Sequence, residues 1–154
     1  MDDMTVEERR GDLLISTDRA RIDVDAVLRM LQASHWGGGM SRRSLERAIA
    51  NSVCVGVYDP SGNQLAFARA VSDLATYAYL TDVIVAEDAR AKGLGKWMTQ
   101  VLVAHPDLQG LRRMALWTRN ARGLYEQFGF STQLPPASTY MEIRPGPGSQ
   151  SRTP

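Results

Sequence analysis

The sequence has very little cysteine, and the one that it has cannot form a disulfide within the chain. No group of cysteines and histidines shows the spacing of a zinc site, so a structural zinc module is excluded. The single cysteine, Cys54, lies within the apolar run at residues 53–58. Because cysteine is among the most frequently buried residue types, this position predicts a core thiol rather than a nucleophile.

The sequence also has no marked excess of either charge and no long apolar run. Its formal net charge is +1, whereas proteins that bind nucleic acid usually carry a clear basic excess. No apolar stretch approaches the length that crosses a bilayer, and the acidic first residues lack the basic-then-apolar order of a signal peptide. We therefore expect a cytoplasmic protein without nucleic-acid or membrane partners.

The length and composition indicate a single domain with a real hydrophobic core. The chain has 154 residues, of which 44% are hydrophobic. We expect residues 1–12 to form a flexible lead-in and residues 13–143 to form the domain. The remaining residues, 144–154, are rich in Pro, Gly and Ser, which predicts a disordered tail.

The hydrophobic patterns predict alternating groups of strands and helices. A strong turn signal at residues 59–63 predicts an antiparallel hairpin, and a strand–helix–strand unit follows it, which allows a parallel pair. An α/β fold with a mixed sheet and helices on its faces follows. The predicted strands are 13–17, 53–58, 64–71, 77–85, 113–118, one that begins at 130, and 140–143; the predicted helices are 24–34, 42–51, 93–105 and 121–128.

The segment with the clearest chemistry is the small-residue, basic loop that joins the strand at 77–85 to the next helix. A helix start presents free backbone N–H groups and the positive end of the helix dipole, which suit a phosphate group. Gly93 and Gly95 let a ligand approach the backbone, while Arg90, Lys92 and Lys96 add positive charge. Taken alone, the same residues suit a solvated glycine turn equally well. Met98 breaks the dinucleotide fingerprint, and the loop also lacks the Walker A spacing.

Two motifs in this order resemble the GNAT acetyltransferase superfamily. Residues 90–95, Arg-Ala-Lys-Gly-Leu-Gly, resemble its acetyl-CoA signature, (Gln/Arg)-x-x-Gly-x-(Gly/Ala). Residues 121–130 resemble its Ala-x-x-Leu-Tyr-x-x-x-Gly-Phe segment. The resemblance covers residues 13–143. It implies a mixed, mostly antiparallel sheet of six to seven strands with about four helices, in which one parallel pair of strands is splayed apart.

The resemblance also implies acetyl-CoA as the co-substrate, no metal, and direct attack by a primary amine of a small molecule or amino acid. The backbone of the splayed strand would pair with the pantetheine arm, and the basic loop would hold the pyrophosphate. The residues that it assigns to acetyl-CoA are Val83, Ile84, Val85, Arg90, Ala91, Lys92, Gly93, Leu94, Gly95, Lys96, Thr118, Asn120 and Tyr125.

The resemblance favours Tyr125 as the acid that protonates the departing sulfur, because tyrosine is protonated at neutral pH. Asp82, a carboxylate within an apolar strand, is a candidate to bind or deprotonate the amine; an ion pair with an arginine is an equally weighted alternative. His35, Trp36 and Tyr79 are the other candidates for the acceptor side, although packing over the sheet is the simpler interpretation of the first two. Trp117 is expected in the core.

Thr118 is a departure from the family pattern, because many members have Asn at this position to contact CoA. This departure keeps a second hypothesis open, in which the chain binds acyl-CoA as a sensor without turnover. A third hypothesis is a protein or peptide N-acetyltransferase. A monomer and a homodimer are both compatible with the sequence.

Overall fold

The protein is described by a computed structural model that covers residues 4–34, 39–133 and 139–144. Its centre is a six-stranded sheet in which the strands follow one another in chain order. The strands are β1 (Glu7–Arg10), β2 (Leu13–Ser16), β3 (Ser52–Tyr58), β4 (Gln64–Ser72), β5 (Tyr77–Val85) and β6 (Arg113–Leu116). The helices are α1 (Val24–Gln32), α2 (Arg42–Ala50), α3 (Leu94–Ala104) and α4 (Arg122–Glu126).

The sheet is mixed, as the sequence predicts. The pairings from β1 to β5 are antiparallel, and β5 pairs with β6 in parallel. The parallel pairing ends at Leu80 and Leu116, after which β5 continues to Val85 with no described strand on that side. The two strands therefore separate over the second half of β5.

A β-bulge interrupts the pairing of β4 with β5 just beyond Leu80, where the pairing with β6 ends. Phe67 faces Ile84 and Arg69 faces Thr81, so that two residues of β5, Asp82 and its successor, face one residue of β4. Asp82 has a φ of 54°, in the left-handed region that few non-glycine residues adopt. The bulge turns the Asp82 side chain towards Arg69.

Helices cover both faces of the sheet. Asp23 and Ser41 cap the starts of α1 and α2 by accepting from the backbone N–H groups of Ala26 at 3.0 Å and Ser44 at 3.1 Å. The helices α1 and α2 pack on one face, which we call the α1/α2 face, and α3 packs on the other. The core of the α1/α2 face contains Val27, Leu31, Leu45, Ile49, Cys54, Phe67 and Ile84. The core under α3 includes Val55, Val57, Ala66, Ala68, Leu80, Leu94, Trp97, Met98 and Leu102.

The N-terminal segment differs from the expected loose lead-in, because residues 7–10 form β1. This strand pairs with β2, and two of its side chains reach α3. Arg10 lies over the Trp97 ring, 4.6 Å from its centroid, and Glu8 accepts a hydrogen bond from the Trp97 indole N–H at 3.1 Å. Four charged residues give no apolar alternation, so the sequence pattern does not indicate this strand.

The C-terminal strands that the sequence predicts are not present in the described residues. Neither 130–133 nor 139–144 forms a strand, and β6 is the last strand of the sheet. Within the described ranges, no helix is long and apolar enough to cross a bilayer.

Candidate active site

The loop after β5 leads directly into the exposed start of α3. A short 3-10 turn at Glu87–Ala89 is followed by Ala91 with a φ of 63° and Gly93 with a φ of 74°. Gly93 occupies the N-cap position, and no side chain caps the helix. The first turn of α3 therefore keeps its backbone N–H groups free of any capping side chain.

Six consecutive backbone amides of this loop, 91–96, have no acceptor among the described residues. The nearest bonds on either side are those of Arg90, which donates to the Glu87 carbonyl at 3.5 Å, and Trp97, which donates to the Gly93 carbonyl at 3.0 Å. Unpaired amides at the positive end of an eleven-residue helix form a site for an anion.

The two glycines of the loop leave the approach to these amides open. A Cβ atom built on Gly93 or on Gly95 would meet no other protein atom within 4 Å. Between them Leu94 is 3% exposed and anchors the loop in the core under α3. The backbone thus faces outward at a fixed position, with room for a ligand against it.

Three cationic side chains surround the loop and are exposed: Arg90, Lys92 and Lys96. None of them forms an ion pair with a described carboxylate. Arg90 donates from Nε to the Val85 carbonyl at 3.4 Å, which holds it beside the end of β5. A diphosphate bound at the amides would therefore find compensating charge within reach.

The second half of β5 offers a free backbone edge where β6 has ended. Val83 and Val85 pack on the core under α3, and Ile84 is buried on the α1/α2 face. The next residue, Ala86, donates to the Leu65 carbonyl at 2.8 Å, so β5 remains attached to β4 to its end. An extended ligand with amide groups could pair with this edge like an additional strand.

Asp82 forms an ion pair with an arginine, which is one of the two roles that the sequence leaves open for it. Arg69 donates from Nε to Oδ2 of Asp82 at 2.6 Å and from a terminal nitrogen to the Ser52 hydroxyl at 3.2 Å. The side chains of Asp82 and Arg69 are 8% and 13% exposed. The pair fixes the carboxylate on the α1/α2 face, beside the point at which the two strands separate.

Tyr125 is buried in α4 with its ring against Phe130, 6.1 Å between ring centroids and edge to face. Burial raises the pKa of Tyr125 above its ordinary value, so its hydroxyl stays protonated at neutral pH. Among the described residues, Tyr58 alone has a fully buried side-chain polar atom without a partner. Since the Tyr125 hydroxyl also has no partner there, it reaches the surface.

Thr118 and Asn120 lie in the exposed turn between β6 and α4. The Thr118 hydroxyl accepts a hydrogen bond from the Ala121 backbone N–H at 3.0 Å, which stabilises the start of α4. Thr118 therefore has a structural role where many family members use Asn, and its O–H group remains available as a donor.

On the acceptor side, Tyr79 is half-buried on the α1/α2 face, next to Asp82 along the same strand face. Two further candidates, His35 and Trp36, lie outside the described residues. The sequence predicts a core position for Trp117, but this prediction is wrong, because Trp117 is 60% exposed, just after β6. An aromatic residue at the end of a short strand gives no sequence signal that separates a core position from an exposed one.

Comparison with known proteins places this geometry in a family. Residues 50–132, more than half of the chain, match the family described as an acetyltransferase (GNAT) domain. The chain belongs to the GNAT acetyltransferase family. The Gibberella zeae protein FG08082, which is named as a candidate acetyltransferase, is 32% identical over 138 residues, 75% of this chain and 77% of that protein. The family match confirms the resemblance carried by the two motifs.

Solved structures show the same GNAT fold. A candidate GNAT acetyltransferase from Xanthomonas campestris is 39% identical, covers 92% of this chain and 99% of its own, and has a TM-score of 0.82. Glucosamine-6-phosphate N-acetyltransferase from Arabidopsis thaliana superposes with a TM-score of 0.61 over 86% of this chain and all of its own. At 17% identity, the latter comparison concerns the fold alone.

Other features of this GNAT chain lie apart from the loop. Burial raises the pKa of the Cys54 thiol to about 12, so this cysteine is not a nucleophile at neutral pH. The described residues contain no cluster of His, Cys, Asp and Glu that could hold a metal. A cavity of about 280 Å³, lined in part by Arg19, Asn51 and His105, lies at the end of the sheet away from Val85. The candidate CoA site is instead the open cleft between β5 and β6.

Proposed function

We propose that this GNAT chain transfers the acetyl group of acetyl-CoA to a primary amine of a small molecule or amino acid. The observation that supports this most strongly is the run of unpartnered amides at 91–96, at the start of α3. These amides and the nearby cations would hold the pyrophosphate of CoA. The free edge of β5 at 83–85 would pair with the pantetheine arm, which directs the thioester towards Asp82.

The chain's own residues suit each proton transfer of a direct attack. Asp82 would accept a hydrogen bond from the incoming amine through Oδ1, because Oδ2 is engaged by Arg69. The backbone N–H of Val83 or Val85 would polarise the thioester oxygen. A C–N bond forms and the C–S bond breaks; the amine would lose its proton to Asp82, and Tyr125 would donate one to the departing sulfur.

A thiol-release assay with acetyl-CoA and a panel of primary amines tests the proposal. We expect release that depends on the amine, with acetylated product detected by mass spectrometry. A peptide with a free N-terminus and a lysine belongs in the same panel, since preferential acetylation of that peptide would indicate a protein substrate. Longer acyl-CoA donors establish whether the transferred group is acetyl.

A sensor that binds acyl-CoA without turnover is the second candidate function. The observation that favours it is that the Thr118 hydroxyl accepts from the Ala121 backbone N–H, at a position where many family members direct an Asn to CoA. Tight binding of acetyl-CoA by calorimetry, together with no thiol release from any amine, would support the sensor and contradict the enzyme.

A further inference from the structure

A group of aromatic side chains, most of them exposed, lies on one face of β5 and around the end of β6. We call Tyr77, Tyr79, Trp117 and Tyr140 the aromatic surface. Tyr77 is 41% exposed, Trp117 60% and Tyr140 56%. The Trp117 and Tyr140 rings contact each other edge to face, with 4.7 Å between their centroids. Exposed aromatic rings in contact with each other are typical of a binding surface.

The strand register puts these residues on the same face of the sheet as Asp82. Leu80 and Leu116 are paired and point into the core under α3, so their neighbours along each strand point to the opposite face. Trp117, the residue after Leu116, is therefore level with the start of the bulge that presents Asp82. Ala115 faces Tyr79 across the two strands, and its small side chain leaves space between the rings.

Tyr79 lies near two carboxylates and among aromatic rings. Burial raises the pKa of Tyr79, and Tyr77, Asp82 and Glu142 raise it further, while Arg69 has a smaller, opposing effect. Two carboxylates, Asp82 and Glu142, thus affect its hydroxyl, and each is also paired with an arginine, Arg69 and Arg144 respectively. The faces of the indole and phenol rings add a negative quadrupole, which attracts ammonium groups.

We propose that the acceptor is an aliphatic amine with a second positive charge, which the aromatic surface holds while the reacting amine reaches Asp82. This inference rests on the proposed acetyltransferase function and narrows its acceptor. An acceptor of this class gains attraction at both ends, from Asp82 and from the ring faces. An amino acid whose carboxylate lay on the same rings would lose that attraction and meet the carboxylates near Tyr79.

Three amines of equal chain length test the class of acceptor: 1,5-diaminopentane, 1-aminopentane and 5-aminopentanoate. We expect kcat/KM for the diamine to exceed that for aminopentane by about fivefold, the size of one exposed cation–π contact, and aminopentanoate to be poorest. Equal values for all three, or a preference for aminopentanoate, would overturn the inference. Thiol release from any of them would still support the acetyltransferase.

Variants of the aromatic surface test its role separately. Trp117→Leu keeps an apolar side chain but removes the ring, so the preference for the diamine over aminopentane should be lost. Ile143→Ala is the matched control, because Ile143 is 97% exposed and lies close to Tyr140 in the sequence without belonging to the aromatic surface. An unchanged preference in Trp117→Leu would contradict the inference.

A binding measurement tests the inference without requiring that the protein turn over a substrate. Calorimetric titration of the protein with 1,5-diaminopentane, without acetyl-CoA, should show saturable binding that is weakened about fivefold in Trp117→Leu. Binding of the diamine without thiol release from any amine would support the cation site and contradict the proposed acetyltransferase function. Equal affinity of the parent protein and Trp117→Leu for the diamine would show that the aromatic surface is not a cation site.

Discussion

At the scale of single residues, the chain contains two buried tyrosines with different surroundings. The Tyr125 hydroxyl reaches the surface, whereas the Tyr58 hydroxyl is enclosed without a partner among the described residues. A Cβ atom on Gly56 would lie only 2.4 Å from the Tyr58 oxygen, so glycine at 56 makes room for this ring. The same substitution, Tyr to Phe, should therefore have different effects at the two positions.

Tyr125→Phe should lower kcat by about a hundredfold and leave the affinity for acetyl-CoA unchanged, because it removes only the proton that Tyr125 gives to sulfur. The Tyr58→Phe control should keep full activity and raise the free energy of unfolding by about 1 kcal/mol, since an unsatisfied buried hydroxyl is removed. Steady-state kinetics and urea unfolding measure both. A fully active Tyr125→Phe enzyme would exclude Tyr125 as the acid.

Gly95→Ala should change stability and affinity in opposite directions. Alanine in place of a helical glycine should stabilise α3 by about 0.5–1 kcal/mol, and the structure has free space for the added methyl group. The same methyl group would meet a phosphate held at the amides, so the affinity for acetyl-CoA should fall about tenfold or more. Thermal unfolding and calorimetric titration separate the two effects. Unchanged affinity would place the phosphates elsewhere.

At the scale of elements, β1 is attached to the first turn of the helix that begins the candidate phosphate site. Glu8 accepts a hydrogen bond from the Trp97 indole N–H, and the Arg10 guanidinium lies over the face of the ring. Arg10 also donates to the Gln100 side chain at 3.2 Å. Trp97 is the fourth residue of α3 and is 1% exposed. The edge strand therefore contributes to the placement of the loop, although it is remote in sequence.

Glu8→Ala should weaken this attachment. The loss of one hydrogen bond to a charged acceptor should cost about 1.5 kcal/mol in the free energy of unfolding and speed hydrogen exchange at the first hydrogen-bonded amide of α3, that of Trp97. Glu7→Ala is the matched control on the same strand, because Glu7 pairs with Arg21 and Ser16 and does not contact α3. Equal exchange at α3 in the two variants would show that β1 does not stabilise the helix start.

The sequence predicts most elements well because their apolar patterns and caps are local. Strands β3, β4 and β5 and helices α1 and α2 end within a few residues of their predicted limits. Strand β1 escapes prediction because four charged residues are stabilised by pairing and by Trp97, which lies far along the chain. The predicted strand at 140–143 has the right residue types, but no partner strand lies among the residues that the structure describes.

The residues of the candidate site also differ in whether local sequence can predict them. The glycine–cation loop can be predicted from local residue types, whereas the Asp82 bulge depends on the register between β4 and β5. The sequence offers Asp82 two interpretations, and only the register brings Arg69 against it. Trp117 becomes a candidate only when the structure shows that it is exposed beside the cleft.

At the scale of the whole molecule, the buried thiol in the core should make the fold sensitive to alkali. The pKa of Cys54 rises from 9.0 to about 12 on folding, so the unfolded chain loses this proton first as the pH increases. The stabilisation is present below pH 9 and is lost as the pH rises towards the folded value. Buried Tyr58 and Tyr125 act in the same direction.

Cys54→Ala should therefore be less sensitive to alkali than the parent protein, although it is less stable at neutral pH because of the cavity. Between pH 9 and pH 10.5 the parent's free energy of unfolding should fall more steeply, by about 1.4 kcal/mol per pH unit. Urea titrations at several pH values provide the slopes. Parallel slopes would show that the thiol ionises in the folded protein.

The free edge of β5 has a consequence for how the enzyme can change. Under the proposed function, the donor is held by main-chain groups that every residue possesses, and its binding is therefore insensitive to which side chains occupy 83–85. The acceptor, in contrast, meets individual side chains on the other face. Amino-acid replacements near this cleft should thus alter what is modified long before they alter the source of the transferred group.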